Sequence, residues 1–159
     1  MPKLTQQEAA HRSESINSGL SYNFYIHLEK GKSYNGVTEV TFEAKKITGL
    51  FLDFDGKEIV SLKINENAEI NDKSKIEELW QEGKLNLTES QLKVGKNTVW
   101  VGFKNEYNTD GNGLHTFLDA DDKQYIYVQS EPFWHNRVVP IFDQPDLNSW
   151  RKIHQWNSE

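Results

Sequence analysis

The chain has 159 residues, a formal charge of −6, 36% hydrophobic and 26% charged residues, and no cysteine. That length suits one domain with a self-sufficient core, and the lack of cysteine excludes disulfides and thiolate metal sites. The acidic balance makes nucleic acid and anionic membranes poor partners. No apolar run approaches the ~20 residues of a membrane span, and the first eight residues carry no apolar signal-peptide stretch, so a cytoplasmic protein is expected.

Thr5-Gln6-Gln7-Glu8 reads as a capping box, with Thr5 as N-cap and Glu8 reaching back. A short, polar surface helix over about 6–16 is expected to follow, stopped by Gly19. From Tyr22 the apolar period becomes two: Tyr22, Phe24, Ile26 and Leu28 form one face of a strand. Gly31 and then Asn35-Gly36 read as turns. Thr38, Val40 and Phe42 mark a second strand, and residues 50–54 a third. Asp55-Gly56 predicts a hairpin from that strand into residues 59–64.

Ser74-Lys75-Ile76-Glu77 resembles a second capping box, opening a helix whose Ile76, Leu79 and Trp80 share a face. Leu85 and Leu87 read as extended. Gly95-Lys96-Asn97 leads into residues 98–103, the strongest strand in the chain. A glycine-rich loop over 108–113 precedes a strand at 125–128. Residues 148–156 suggest a short amphipathic helix or an arm, with Trp150, Ile153 and Trp156 three apart. Short strands separated by Gly, Asn and Asp turns predict a mainly antiparallel β-sandwich or saddle. About eight strands and two short helices are expected.

The catalytic signals are mostly absent. None of the five His is followed by Glu, so the His-Glu-x-x-His pair of zinc peptidases does not occur. There is no Gly-x-Ser-x-Gly and no phosphate-cradling loop ahead of a helix. Asp119, Asp121 and Asp122 lack the glycine and distal glutamate of a helix–loop–helix calcium site and read as a solvated turn.

The informative stretch runs from Tyr125 to Asp146. A strand delivers Gln129 and Glu131, and Pro132 biases Glu131 toward extended backbone. A strand-end carboxylate can hold a cation such as a peptide's N-terminal ammonium. Gln129, two residues earlier, is placed to add a hydrogen bond. The alternative from spacing is an ion pair between Glu131 and Arg137 that stiffens a loop.

Tyr127-Val128-Gln129-Ser130-Glu131-Pro132, followed by Arg137 and Ile141-Phe142-Asp143-Gln144-Pro145-Asp146, resembles the N-terminal domain of the aminopeptidase N family of zinc metallo-aminopeptidases. Its pattern there is Thr-Gln-x-Glu-Pro, an Arg, then Phe-Pro-Cys-Phe-Asp-Glu-Pro. Val128 stands for the Thr, Val139-Pro140-Ile141 for Phe-Pro-Cys, and Gln144 for the Glu. Ser21-Tyr22-Asn23-Phe24, residues 50–54 with 59–65, and residues 111–118 carry the resemblance upstream.

The resemblance implies a β-domain that caps a separate zinc catalytic domain, with Glu131 and Gln129 binding the free N-terminus of the substrate. Arg137, Phe142, Asp143 and Pro145 would be structural members of the motif. It divides the chain into a helical leader (1–20), the β-domain (21–147) and a divergent tail (148–159). Met1 is the only methionine, so the family's Gly-x-Met-Glu-Asn motif does not occur here.

The expectation is therefore a substrate-recognising domain without zinc ligands of its own, as a fragment or short homologue inactive alone. The alternative is a repurposed protein-binding module. A protein partner, a second copy or the chain's own tail with Trp150 and Trp156 is expected to cover an exposed sheet edge.

Overall fold

The computed structural model describes residues 4–17, 19–131 and 133–157; the expected backbone bias at Pro132 therefore lies outside the described residues. Two helices, α1 (Gln6–Ser15) and α2 (Lys73–Leu79), accompany ten strands: β1 (Leu20–Leu28), β2 (Ser33–Ala44), β3 (Leu50–Asp53), β4 (Glu58–Ile64), β5 (Trp80–Gln81), β6 (Lys84–Leu87), β7 (Gly95–Glu106), β8 (Gly113–Leu118), β9 (Gln124–Gln129) and β10 (Ser149–Asn157). They form a five-stranded sheet ordered β10-β1-β2-β7-β4, a three-stranded sheet ordered β3-β6-β5, and the separate hairpin β8-β9. Pairing is antiparallel throughout these sheets except between β10 and β1.

The period-two pattern sets the layers. In β2, Tyr34, Thr38, Val40, Phe42 and Ala44 point inward, while Val37, Glu39, Thr41 and Glu43 face solvent wholly or in part. The inner faces of the two larger sheets share one buried cluster, with Phe42, Leu62, Val99 and Val101 from the first and Leu50, Leu52, Leu85 and Leu87 from the second. Burying each such side chain stabilises the fold by roughly 1.5–3 kcal/mol.

The capping box on α1 is present: the Glu8 N–H donates to Thr5 Oγ1 at 3.2 Å, and the Thr5 N–H donates to Glu8 Oε2 at 2.9 Å. The helix does not lie freely on the surface, because Arg12 is 1% exposed and pairs with Asp53. It spans Gln6–Ser15 with an extended Ile16 as C-cap, close to the expected 6–16.

Several local expectations yield to tertiary contacts. Asn35-Gly36 is not a turn but lies inside β2, paired with His27 and Ile26. A Cβ on Gly36 would sit 2.3 Å from the Tyr25 carbonyl oxygen, so this glycine serves a close backbone approach. Asp55-Gly56 does not close a hairpin: β3 pairs with β6, while β4 pairs with β7. The connection crosses between sheets because Phe54 is buried between them, 5.6 Å from Trp80 and 5.4 Å from Phe103.

The N-cap of α2 is Asp72, whose Oδ1 accepts from the Lys75 N–H at 3.0 Å, rather than Ser74. Residues 149–157, readable as a helix or an arm, form strand β10. Register with β1 brings the Tyr25 and His154 rings to 4.6 Å and those of His27 and Trp156 to 5.5 Å, contacts a helix would not offer.

Candidate functional site

The hairpin β8-β9 delivers the residues that the sequence singles out. Its register pairs Gly113 with Gln129, His115 with Tyr127, and Phe117 with Tyr125. Cross-strand partners share a face, and the ring contacts agree: His115 to Tyr127 at 4.8 Å and Phe117 to Tyr125 at 5.2 Å.

The opposite face carries Leu114, which is buried, and Ile126, which packs on the core. From that same face, the Gln124 side chain bonds the Gly31 N–H and carbonyl. The aromatic face is therefore the outward one, and Gln129 ends it. Gly113 opens the hairpin at a positive φ of 70°, where a Cβ would meet Asn108 Nδ2 at 2.5 Å.

Strand β9 stops at Gln129, and Glu131 lies in the turn beyond it, so strand alternation does not govern where Glu131 points. The turn closes through the Trp134 N–H, which donates to the Ser130 carbonyl at 2.9 Å. Both Gln129 and Glu131 are exposed. Among the described residues, their side chains have no hydrogen-bond or ion-pair partner.

Arg137, the ion-pair partner that spacing alone allows for Glu131, is committed elsewhere. It donates to Asp110 Oδ2 at 2.8 Å and Asn108 Oδ1 at 2.9 Å, and its guanidinium lies 5.2 Å from the Trp134 ring. That hydrogen bond holds the Asp110 carboxyl below the usual carboxylate range. Arg137 thus braces the 108–113 loop against the segment after β9.

Residues 138–148 anchor the turn to the core. Tyr34 Oη donates to the Val138 carbonyl at 2.9 Å, and burial pushes that phenol up. Ile141 exchanges both backbone hydrogen bonds with Asp53, at 2.7 and 3.0 Å. Phe142 meets Phe42 edge-on at 5.5 Å, and its N–H donates to Tyr22 Oη at 3.2 Å. Asp143 Oδ2 accepts from the Asn136 N–H at 3.1 Å, and the Asp143 N–H donates to Asp53 Oδ2 at 3.0 Å.

Gln144, where the family pattern has Glu, is buried and donates to the Ala9 carbonyl and Ser13 Oγ of α1 at 3.0 and 2.9 Å. Pro145 is exposed.

Sequence reading did not find four residues of this network: Arg12, Asp53, His135 and Arg151. Arg12 Nη1 meets Asp53 Oδ2 at 2.8 Å, Nη2 donates to the Phe51 carbonyl at 2.9 Å, and the guanidinium lies 4.1 Å from the Phe51 ring. Burial pushes the Asp53 carboxyl up, opposed by Arg12 and by the Asp143 N–H. The available signal was Asp53 itself, a lone carboxylate in the apolar run 50–54. His135 Nε2 meets Ser130 Oγ five positions earlier at 3.1 Å, but its contacts with Arg151 Nη1 and Asp143 Oδ1 are brought about only by the fold.

Among the described residues, no three His, Cys, Asp or Glu side chains gather to hold a metal ion. Asp119, Asp121 and Asp122 make a turn closed by the Asp122 N–H to the Asp119 carbonyl at 3.0 Å, with Asp121 paired to Lys123. No helix among the described residues is long and apolar enough to cross a membrane.

The architecture is a mainly β domain that presents two uncommitted polar side chains at the end of an aromatic hairpin. Residues 18–154 match the model of the Peptidase M1 N-terminal domain, and the chain belongs to that family. It is similar to Aminopeptidase N of Streptomyces lividans, 30% identical over 151 residues. That match covers 92% of this chain but 17% of the relative's length.

Proposed function

We propose that this chain is the substrate-recognising N-terminal domain of a zinc aminopeptidase, with Glu131 receiving the free ammonium of a peptide and Gln129 Oε1 accepting a second hydrogen bond from it. The observation that carries this reading is the uncommitted state of Glu131. It is an exposed carboxylate on a braced turn, while its nearest cation in sequence, Arg137, is spent on Asp110 and Asn108. An α-amino group has a pKa of about 7.7–8.0, so it is largely charged near neutral pH.

A carboxylate this open grips an ammonium weakly. Two unit charges ~4 Å apart gain about 1 kcal/mol in water but about 4 kcal/mol at an effective dielectric near 20. The reading therefore requires another part of the full protein to cover Glu131. Zinc, the general base and the hydrolytic step belong to that part. Among the described residues, no three His, Cys, Asp or Glu side chains gather to hold zinc.

The test replaces the matching region of the Streptomyces relative with residues 18–154 and compares Glu131 with Glu131→Gln. Expected is a fall in kcat/KM of about 100-fold or more on amino-acid amides, equivalent to about 2.7 kcal/mol. Equal turnover by the two chimeras would sink the assignment. Zinc-dependent turnover by the isolated chain, abolished by Glu131→Ala, would sink the claim that a second part is needed.

One observation favours a second reading, a protein-binding module. β10 is an edge strand whose Trp150, Ile153 and Trp156 are 85%, 65% and 49% exposed. An apolar sheet edge is a template for pairing with another chain. On this reading, concentration-dependent association in sedimentation should vanish in Ile153→Lys; a monomer at all concentrations removes self-association as the cover.

A further inference from the structure

The geometry points to His135 as a positioning residue: we propose that its Nε2 clamps the Glu131 turn, at Ser130, to Arg151 of β10. The proposal rests on the reading of Glu131 above, but it concerns how the turn is held rather than what it binds.

His135 opens a single 3-10 turn, His135–Arg137, directly after the Glu131 turn. Its Nε2 lies 3.1 Å from Ser130 Oγ and 3.0 Å from Arg151 Nη1, and its Nδ1 lies 3.6 Å from Asp143 Oδ1. A guanidinium can only donate. Nε2 must therefore accept from Arg151, which places the proton of the neutral imidazole on Nδ1, facing Asp143.

Asp143 is itself fixed by the Asn136 N–H and, through its own N–H, by Asp53. The ring thus sits beside a carboxylate that the fold already holds, and the clamp itself runs from Arg151 to Ser130. Glu131 is the next residue, and the Ser130 carbonyl closes the turn by accepting from the Trp134 N–H.

Ser130, His135 and Asp143 superficially match a nucleophile–base–carboxylate row. Arg151 rules out that use. The Nε2 lone pair that would have to take the serine proton already accepts from a cation, and Nδ1 at 3.6 Å is beyond hydrogen-bond range of the carboxylate. What remains is geometric: three chain segments meet on one ring.

The test is NMR on the 159-residue chain. In wild type the Glu131 order parameter should be near 0.85. In His135→Ala that order parameter should drop below about 0.6. In His135→Gln, whose amide can both accept from Arg151 and donate, order should return.

A turn that stays rigid in His135→Ala overturns the proposal. Should that variant not fold, a Glu131 order parameter that stays below about 0.6 in a folded His135→Gln overturns it. Both readouts are taken without substrate, so their failure is separate from failure of the chimera kinetics.

Discussion

Asp53 and Glu131 are both carboxylates at or just past the end of a strand, and the molecule treats them oppositely. Asp53 closes β3 inside the core, where Arg12 and the Asp143 N–H saturate one of its oxygens. Glu131 follows β9 into solvent with no partner among the described residues. The first ties α1, β3 and residues 141–144 into one body. The second contributes nothing to that body, and a side chain that stability does not use is free for a ligand. The contrast separates a charge committed to the fold from one left uncommitted: Asp143 touches Asp53, and Glu131 sits in the exposed turn after β9.

The comparison breaks most sharply at Arg12. Arg12→Met leaves Asp53 buried and uncompensated, which costs about 3–5 kcal/mol when a buried pair loses one partner. Urea denaturation should show that loss, and Arg12→Met with Asp53→Leu should recover most of it. The same measurement on Glu131→Gln should move stability by less than about 0.5 kcal/mol, as for a surface change with no partner. A large loss there would mean that Glu131 is structural after all.

A smaller effect sits at the outer end of α1. A hydrogen bond from Lys84, assisted by the Thr5 N–H, lowers the Glu8 carboxyl from 4.5 to about 2. A depressed carboxylate pKa adds stability above its unfolded value, and that stability is lost as pH falls through the folded value. The Tm difference between wild type and Glu8→Gln should therefore be constant above pH 4.5 and shrink toward about pH 2. A difference that grows in acid would contradict the Lys84 contact.

Legibility in the sequence followed the range of the interactions. The Thr5–Glu8 box spans four residues and was readable because both of its hydrogen bonds are local. The inner faces of β1, β2 and β7 were readable because a strand's period is fixed by its own backbone. The motif containing Gln129 and Glu131 was readable from residue order. That Arg137 braces the 108–113 loop instead of pairing with Glu131 was not, because Asn108 and Asp110 lie 29 and 27 positions away.

The two misplaced turns and the tail, left open between helix and arm, share one cause. Asn35-Gly36 has the composition of a turn, but β1 and β7 flank it on both sides and hold it extended. Asp55-Gly56 has the composition of a hairpin, but Phe54 satisfies both sheets only if the chain crosses between them. The spacing of Trp150, Ile153 and Trp156 suits a helix, but the open edge of β1 offers nine residues of backbone pairing. In each case a local preference of about 1 kcal/mol or less met a ladder of several hydrogen bonds.

By itself, then, the sequence determined the class of the fold, the faces of its longest strands, the cap of its first helix and the candidate pair Gln129 and Glu131. All of these are written in spacing or in side chains a few positions apart. The tertiary structure decided which strands pair, how Arg12 and Asp53 meet across 41 positions, and how Ser130, His135, Asp143 and Arg151 converge beside Glu131. Those outcomes depend on long-range hydrogen bonds and burial, which exist only once the sheets have formed.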